Sequence, residues 1–306
     1  MSDASLTTEP NSSPLRGVLW MLVTGFNFVM VTALVKYMGP RIPPAESAFL
    51  RYLLGLVFLL PMIGSLRAAT WSPRLVAMFG ARGLVHTFGV IAWFFAMTQI
   101  PLAEVTAMGY LSPIYVTIGA ALFMGESLAF RRIAAIAVAL VGVLVILRPG
   151  FREISPGHLA MFITGFSFGL SYLTAKTLVQ RTNPTVVVAM LSIWVTVGLA
   201  PIALANWVTP TLHELVVLFG VACFATAGHY TMSLAFAAAP LTVTQPVTFL
   251  QLIWSTLLGA LFFGEGLDVW VVLGGFLILG AVSFITWREA VAKRRVITPL
   301  PHAMKS

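Results

Sequence analysis

The chain has 306 residues, of which 59% are hydrophobic and only 9% charged, with a mean hydropathy of +0.95. Ordinary soluble domains carry about 25% charged residues, so a water-soluble globule is excluded and the chain must lie in lipid. The net charge of +8 does not indicate a nucleic-acid binder, because the basic residues stand at the ends of apolar runs and form no single polar patch.

The opening stretch, MSDASLTTEPNSSP, is polar, carries Asp3 and Glu9, and lacks the positive n-region of a signal peptide. Residues 1–15 are therefore expected to be a disordered cytoplasmic tail. A membrane helix needs about 20 apolar residues. Windows of that order follow at 17–36, 47–64, 75–98, 102–124, 133–148, 158–178, 185–205, 215–239, 241–263 and 269–287. Breakers separate them, including GPRIPP at 39–44, Pro101, RPG at 148–150, Pro210, Pro240 and Gly264. Backbone polar groups in a bilayer need internal partners, so each window is expected to be helical. The runs are continuous and too long for the alternating segments of a membrane barrel.

With the N-terminus in the cytoplasm, inner loops and tails hold twelve Lys and Arg, outer loops hold four, and Arg51 and Arg82 lie within spans. The positive-inside rule then places both termini in the cytoplasm.

The chain repeats itself. ALFMGESL at 121–128 returns as ALFFGEGL at 260–267, TGFNF at 24–28 as TGFSF at 164–168, Lys36 as Lys176, and Pro101-Leu102 as Pro240-Leu241. Each half holds five windows, and an odd number turns the second half upside down. The expected fold is an all-α integral membrane protein of ten transmembrane helices in two inverted five-helix repeats. The expected units are 16–149 and 155–288, followed by a basic cytoplasmic tail at 289–306. Glu126 then faces the cytoplasm and Glu265 the outside. Inverted repeats recur in secondary transporters, whose substrate site lies at the repeat interface near the midplane. Gly-Glu reads as a helix stop followed by a carboxylate at the start of the next helix.

The stretches IPLAEVTAMGYLSPIYVTIGAALFMGESLAFRR at 100–132 and APLTVTQPVTFLQLIWSTLLGALFFGEGL at 239–267 resemble the drug/metabolite transporter superfamily, in its EamA-type branch. The resemblance covers about residues 15–290. It implies a bacterial inner-membrane carrier with a central cavity lined mainly by helices three, four, eight and nine. It also implies rocking between outward-open and inward-open states. RGL at 82–84, RPG at 148–150 and GHY at 228–230 look most like bacterial carriers of riboflavin, S-adenosylmethionine and similar metabolites.

Ionisable groups within a bilayer are functional candidates by default. Arg82 and His86, four apart, share a helix face, and Gly89 and Trp93 continue that stripe. A cation, an imidazole and an aromatic suit a planar polar or anionic metabolite. Snorkelling of Arg82 to the interface is the alternative, since it stands about 10 Å into its helix. His229 and Tyr230 fall near mid-span, Thr106 and Tyr110 share a helical spacing with Pro113 and Thr117, and Gln245 and Gln251 are polar in an apolar run. Asn27 and Ser167 hold equivalent positions as substrate contacts or interhelical glue. Pro113 and Pro246 should kink their helices. Arg51 reads as structural, paired with Glu46. No carboxylate falls at mid-span, which favours facilitated transport or exchange over proton symport.

The expected function is secondary transport of a small metabolite by alternating access. The aromatics Trp93, Tyr110, Tyr115 and Trp254 favour riboflavin or a related ring. Export or exchange of amino acids or S-adenosylmethionine is the runner-up. An intramembrane enzyme is the alternative from another class, but HExxH and Walker motifs do not occur in the chain. No cofactor or metal is expected, and Cys223 is the single cysteine. The expected partners are a small-molecule substrate and the bilayer, with a homodimer compatible and nucleic acid excluded.

Overall fold

The computed structural model describes residues 14–124, 130–151, 153–179, 181–239 and 245–297, and no strand occurs among them. Residues 1–13 of the expected 1–15 tail, Glu126, and residues 298–306 of the expected 289–306 tail lie outside the described residues, while 14–15 and 289–297 belong to helices. Helices α1 (Pro14–Met38), α2 (Pro44–Gly55) and α3 (Ile63–Ala68) come first, and a 3-10 segment, Leu56–Met62, joins the last two around Pro61. Helix α4 (Pro73–Gln99) starts on Ser72, whose hydroxyl accepts from Leu75 N–H at 3.2 Å, with Pro73 preset for the first turn. Helices α5 (Leu102–Gly109), α6 (Leu111–Met124) and α7 (Phe130–Leu147) complete the first part.

The second part holds α8 (Pro156–Val179), α9 (Pro184–Ala205), α10 (Leu212–Ala238), α11 (Phe249–Phe263) and α12 (Val269–Ile297). Asn183 caps α9 through Thr185 N–H, and Thr211 with Glu214 forms a capping box on α10. Among the described residues, six segments are long and apolar enough to cross a membrane, and shorter apolar helices accompany them.

The expected proline kinks appear as breaks. Pro113 has no N–H to give the Gly109 carbonyl, and the helix is interrupted at Tyr110 between α5 and α6. Pro246 sits in a 3-10 turn, Gln245–Thr248, ahead of α11.

Helices pair across the two parts of the chain. Helix α1 packs along α10 and α4 along α8; α7 runs against α12, α2 against α9, α6 against α8, and α11 against α1. The interior holds Val31, Phe94, Met97, Met108, Ile146 and Leu199 in one cluster. Large apolar side chains such as Leu144, Phe166 and Phe276 point outward, as lipid requires. In lipid the helices gain little from hydrophobic burial, so close packing and interhelical hydrogen bonds hold them together. The Thr24 and Thr231 hydroxyls meet at 2.9 Å between α1 and α10, and Thr164 Oγ1 donates to Gly89 O at 3.3 Å between α8 and α4.

At α7 and α12 the backbones touch through glycine. A Cβ on Gly142 would stand 2.7 Å from Gly274 O. Gly274→Leu is therefore expected to cost about 1–3 kcal/mol through overpacking. Thermal unfolding in detergent should show a fall of several degrees. Gly280→Ala, where nothing lies within 4 Å of the new methyl, should not lower the transition.

Candidate substrate-binding site

A cavity of about 230 Å³ lies where the two parts of the chain meet. Small-molecule sites run from roughly 300 to 1,000 Å³, so this cavity is smaller than that range and has room for one compact molecule at most. Helix α4 supplies His86 and Trp93, and the break between α5 and α6 supplies Thr106, Tyr110 and Ser112. Helix α10 supplies His229, and the segment running into α11 supplies Thr248 and Gln251. Of the residues expected from sequence, the cavity thus gathers His86, Trp93, Thr106, Tyr110, His229 and Gln251.

The helix breaks build part of this site. Tyr110 stands at the first break and donates its hydroxyl to Thr248 O, at the second, at 2.8 Å. His86 Nδ1 lies 3.1 Å from Ser171 Oγ, and its ring stacks on Phe168 at 4.6 Å with the planes 22° apart. Trp93 meets Phe168 edge-on at 6.1 Å, and Phe28 meets His229 edge-on at 5.1 Å.

Other expected residues lie elsewhere. Arg82 is buried but does not line the cavity and does not snorkel. It donates to Ser171 Oγ at 3.3 Å and to Val187 O at 3.1 Å, tying α4 to α8 and α9. Tyr230 is 63% exposed and points away from the site. Asn27 is buried and donates to Val23 O of its own helix. The Gln245 and Thr117 side chains lie outside the described residues. Tyr115 packs edge-on against Phe166 and Trp254 against Phe26; neither lines the cavity.

The sequence reading missed the contributions of three helices, α1, α2 and α8. Arg51 and Tyr52 of α2 line the cavity, so the expected Arg51–Glu46 pair is corrected. Glu46 instead accepts from Val208 N–H at 2.9 Å. An arginine inside an apolar span was the available signal. Phe28 and Thr32 of α1 also face in, as do Thr164, Phe168 and Tyr172 of α8, whose four-residue spacing puts them on one helical face.

Polar bridges between the two parts of the chain gather at one end of the bundle, where α1 and α4 finish and α5, α8 and α10 begin. Lys36 pairs with Glu265 and donates to Ile100 O at 2.9 Å. Glu265 Oε2 accepts from Leu102 N–H at 3.0 Å, capping α5. Gly264, in the left-handed region at φ 64°, ends α11 and turns Glu265 into this place. The expected helix stop is present, but the carboxylate caps a helix of the other half and not the start of its own next helix. Arg41 pairs with Glu214, which holds the guanidinium above its ordinary range. Arg148 pairs with Asp268, and the buried Glu104 pairs with His158.

The chain's fold and cavity are those of a membrane transporter. The model of the EamA-like transporter family matches residues 15–148 and again 155–287; the chain belongs to that family. It is similar to a riboflavin transporter of Rhizobium johnstonii, at 29% identity over 96% of this chain and 98% of that one. It is also similar to an S-adenosylmethionine uptake transporter of Rickettsia prowazekii, at 26% identity over 90% and 94%. A pseudopaline exporter of Pseudomonas aeruginosa matches at 27% identity over 87% and 94%. One solved crystal structure superposes with a TM-score of 0.58 at 19% identity, covering 91% of this chain and 99% of that one, which supports the fold alone.

Proposed function

We propose that the protein is a secondary carrier of a ring-bearing metabolite, riboflavin or a near relative, working by alternating access across a bacterial inner membrane. The observation that carries this reading is the cavity between the two parts of the chain, walled by His86, Trp93 and Phe168. His86, Trp93, Thr106, Tyr110, His229 and Gln251 are the proposed substrate contacts. Arg82 supports His86 through the shared Ser171 hydroxyl.

The carrier is read as ten spans in two inverted halves, with both termini cytoplasmic. The packing pattern supports this. A two-fold exchange of the halves maps the α1–α10 pair onto α8–α4 and the α11–α1 pair onto α6–α8, while α2–α9 and α7–α12 map onto themselves. The charge count then puts Lys36, Arg41 and Glu265 on the outer face. Their bridges to the opposite half close that face and must break for the cavity to open outward.

Purified protein in liposomes is expected to move riboflavin down its gradient without ATP. Flux that required ATP, or chemical conversion of the substrate, would overturn the carrier reading. Movement of S-adenosylmethionine with no movement of riboflavin would select that substrate instead.

A further inference from the structure

We infer that Arg51 sets the charge the cavity accepts. The bound molecule is a planar ring, neutral or anionic, whose hydrogen-bond-accepting edge meets the Arg51 guanidinium, and a fixed cation is refused. This rests on the cavity being the carrier's binding site.

Arg51 is only 8% exposed, yet it lines the cavity. Its guanidinium carbon lies 3.9 Å from the centre of the Tyr52 ring. That contact aside, no hydrogen bond or ion pair joins it to another described residue. Burying a cation without an acceptor is costly, so the neighbours of this group matter. Among the described residues, the buried side-chain atoms without a hydrogen-bond partner belong to Glu46, Arg148, Trp194 and Glu265. Since Arg51 is not among them, its unpaired donors open onto the cavity.

The other cation nearby is already engaged, because Arg82 donates to Ser171 and to the Val187 carbonyl. Among the described lining residues there is no Asp or Glu. The nearest acid along α2, Glu46, is turned to Val208 N–H. From the other half of the chain, the Gln251 side chain lines the same cavity and makes no hydrogen bond within the described protein.

A guanidinium fork gives two parallel N–H donors and matches adjacent carbonyl oxygens or a carboxylate. Trp93, Phe168 and Phe28 supply the aromatic surface on which a flat ring packs. A sulfonium or ammonium group would face like charge in a low dielectric, with no lining carboxylate to offset it.

The test is equilibrium binding to the full chain in detergent, read by quenching of riboflavin fluorescence, with S-adenosylmethionine as the cationic competitor. Riboflavin is expected to bind at least tenfold more tightly than S-adenosylmethionine. Arg51→Gln should weaken riboflavin at least tenfold, Arg51→Lys should fall between, and melting curves should report intact folding. Gln251→Glu places a carboxylate in the same cavity and should narrow the preference even if Arg51→Gln fails to fold. Equal or tighter binding of S-adenosylmethionine, binding of neither probe, or riboflavin affinity unchanged in both Arg51→Gln and Gln251→Glu overturns the inference. Liposome flux on the same preparations separates the two readings. Arg51-dependent binding without flux defeats the carrier and leaves the charge assignment standing. Undiminished flux and affinity in Arg51→Gln defeats the assignment and leaves the carrier.

Discussion

Replacing Glu265 with Ala is expected to cut uptake at least tenfold while the protein stays in the membrane. One carboxylate holds three elements together at the Lys36 end: it pairs with Lys36 at the close of α1, caps Leu102 at the start of α5, and follows directly on α11. Losing a helix cap costs about 1 kcal/mol, and stranding a half-buried lysine adds to it, although partial solvent exposure reduces that share. Each 1.4 kcal/mol changes a two-state population about tenfold. The variant should therefore favour the state open at this end. A cysteine placed at Thr106, within the cavity, should react faster with an outside reagent in Glu265→Ala than in the parent. The charge swap Lys36→Glu with Glu265→Lys should not restore uptake, because a lysine cannot accept the Leu102 N–H. Full recovery in the swap would reduce Glu265 to a simple ion-pair partner.

His86→Ala and Trp93→Ala are each expected to abolish uptake. His86 is buried, held by Ser171 and stacked on Phe168, while Trp93 closes the neighbouring wall against the same ring. Loss of either removes ring surface from the cavity, and loss of His86 also removes its polar contact. Uptake of the proposed substrate by cells, normalised to the protein in the membrane, measures the effect. Normal uptake in either variant would remove that residue from the site. A melting transition lowered in parallel with activity would make its role one of packing. Ser171→Ala, which touches both Arg82 and His86, should weaken uptake without abolishing it.

Hydropathy and breakers made much of the helical layout legible in the sequence, because lipid leaves a buried backbone few alternatives to the helix. Prolines marked the two breaks that shape the cavity. Repeated Gly-Glu marked a structural device, but not its partner: only the fold brings Glu265 beside Leu102, 163 positions away. The site was half legible for a similar reason. Stripes along single helices, such as His86 with Trp93, can be read from spacing. The facing of α2 and α8 cannot, so Arg51, Phe168 and Tyr172 were missed while the outward-pointing Tyr230 was included. Arg51 and Arg82 looked alike as arginines within spans. Carbonyls and hydroxyls on neighbouring helices engage Arg82 and leave Arg51 to the cavity.

The proposed mechanism rests on two oppositely oriented halves enclosing one cavity. The most direct measurement labels single cysteines at positions 126 and 265, in a chain carrying Cys223→Ser, with a membrane-impermeant thiol reagent added from each side. The inverted arrangement predicts that position 265 reacts only from outside and position 126 only from the cytoplasmic side. Reaction of both from the same side would contradict it.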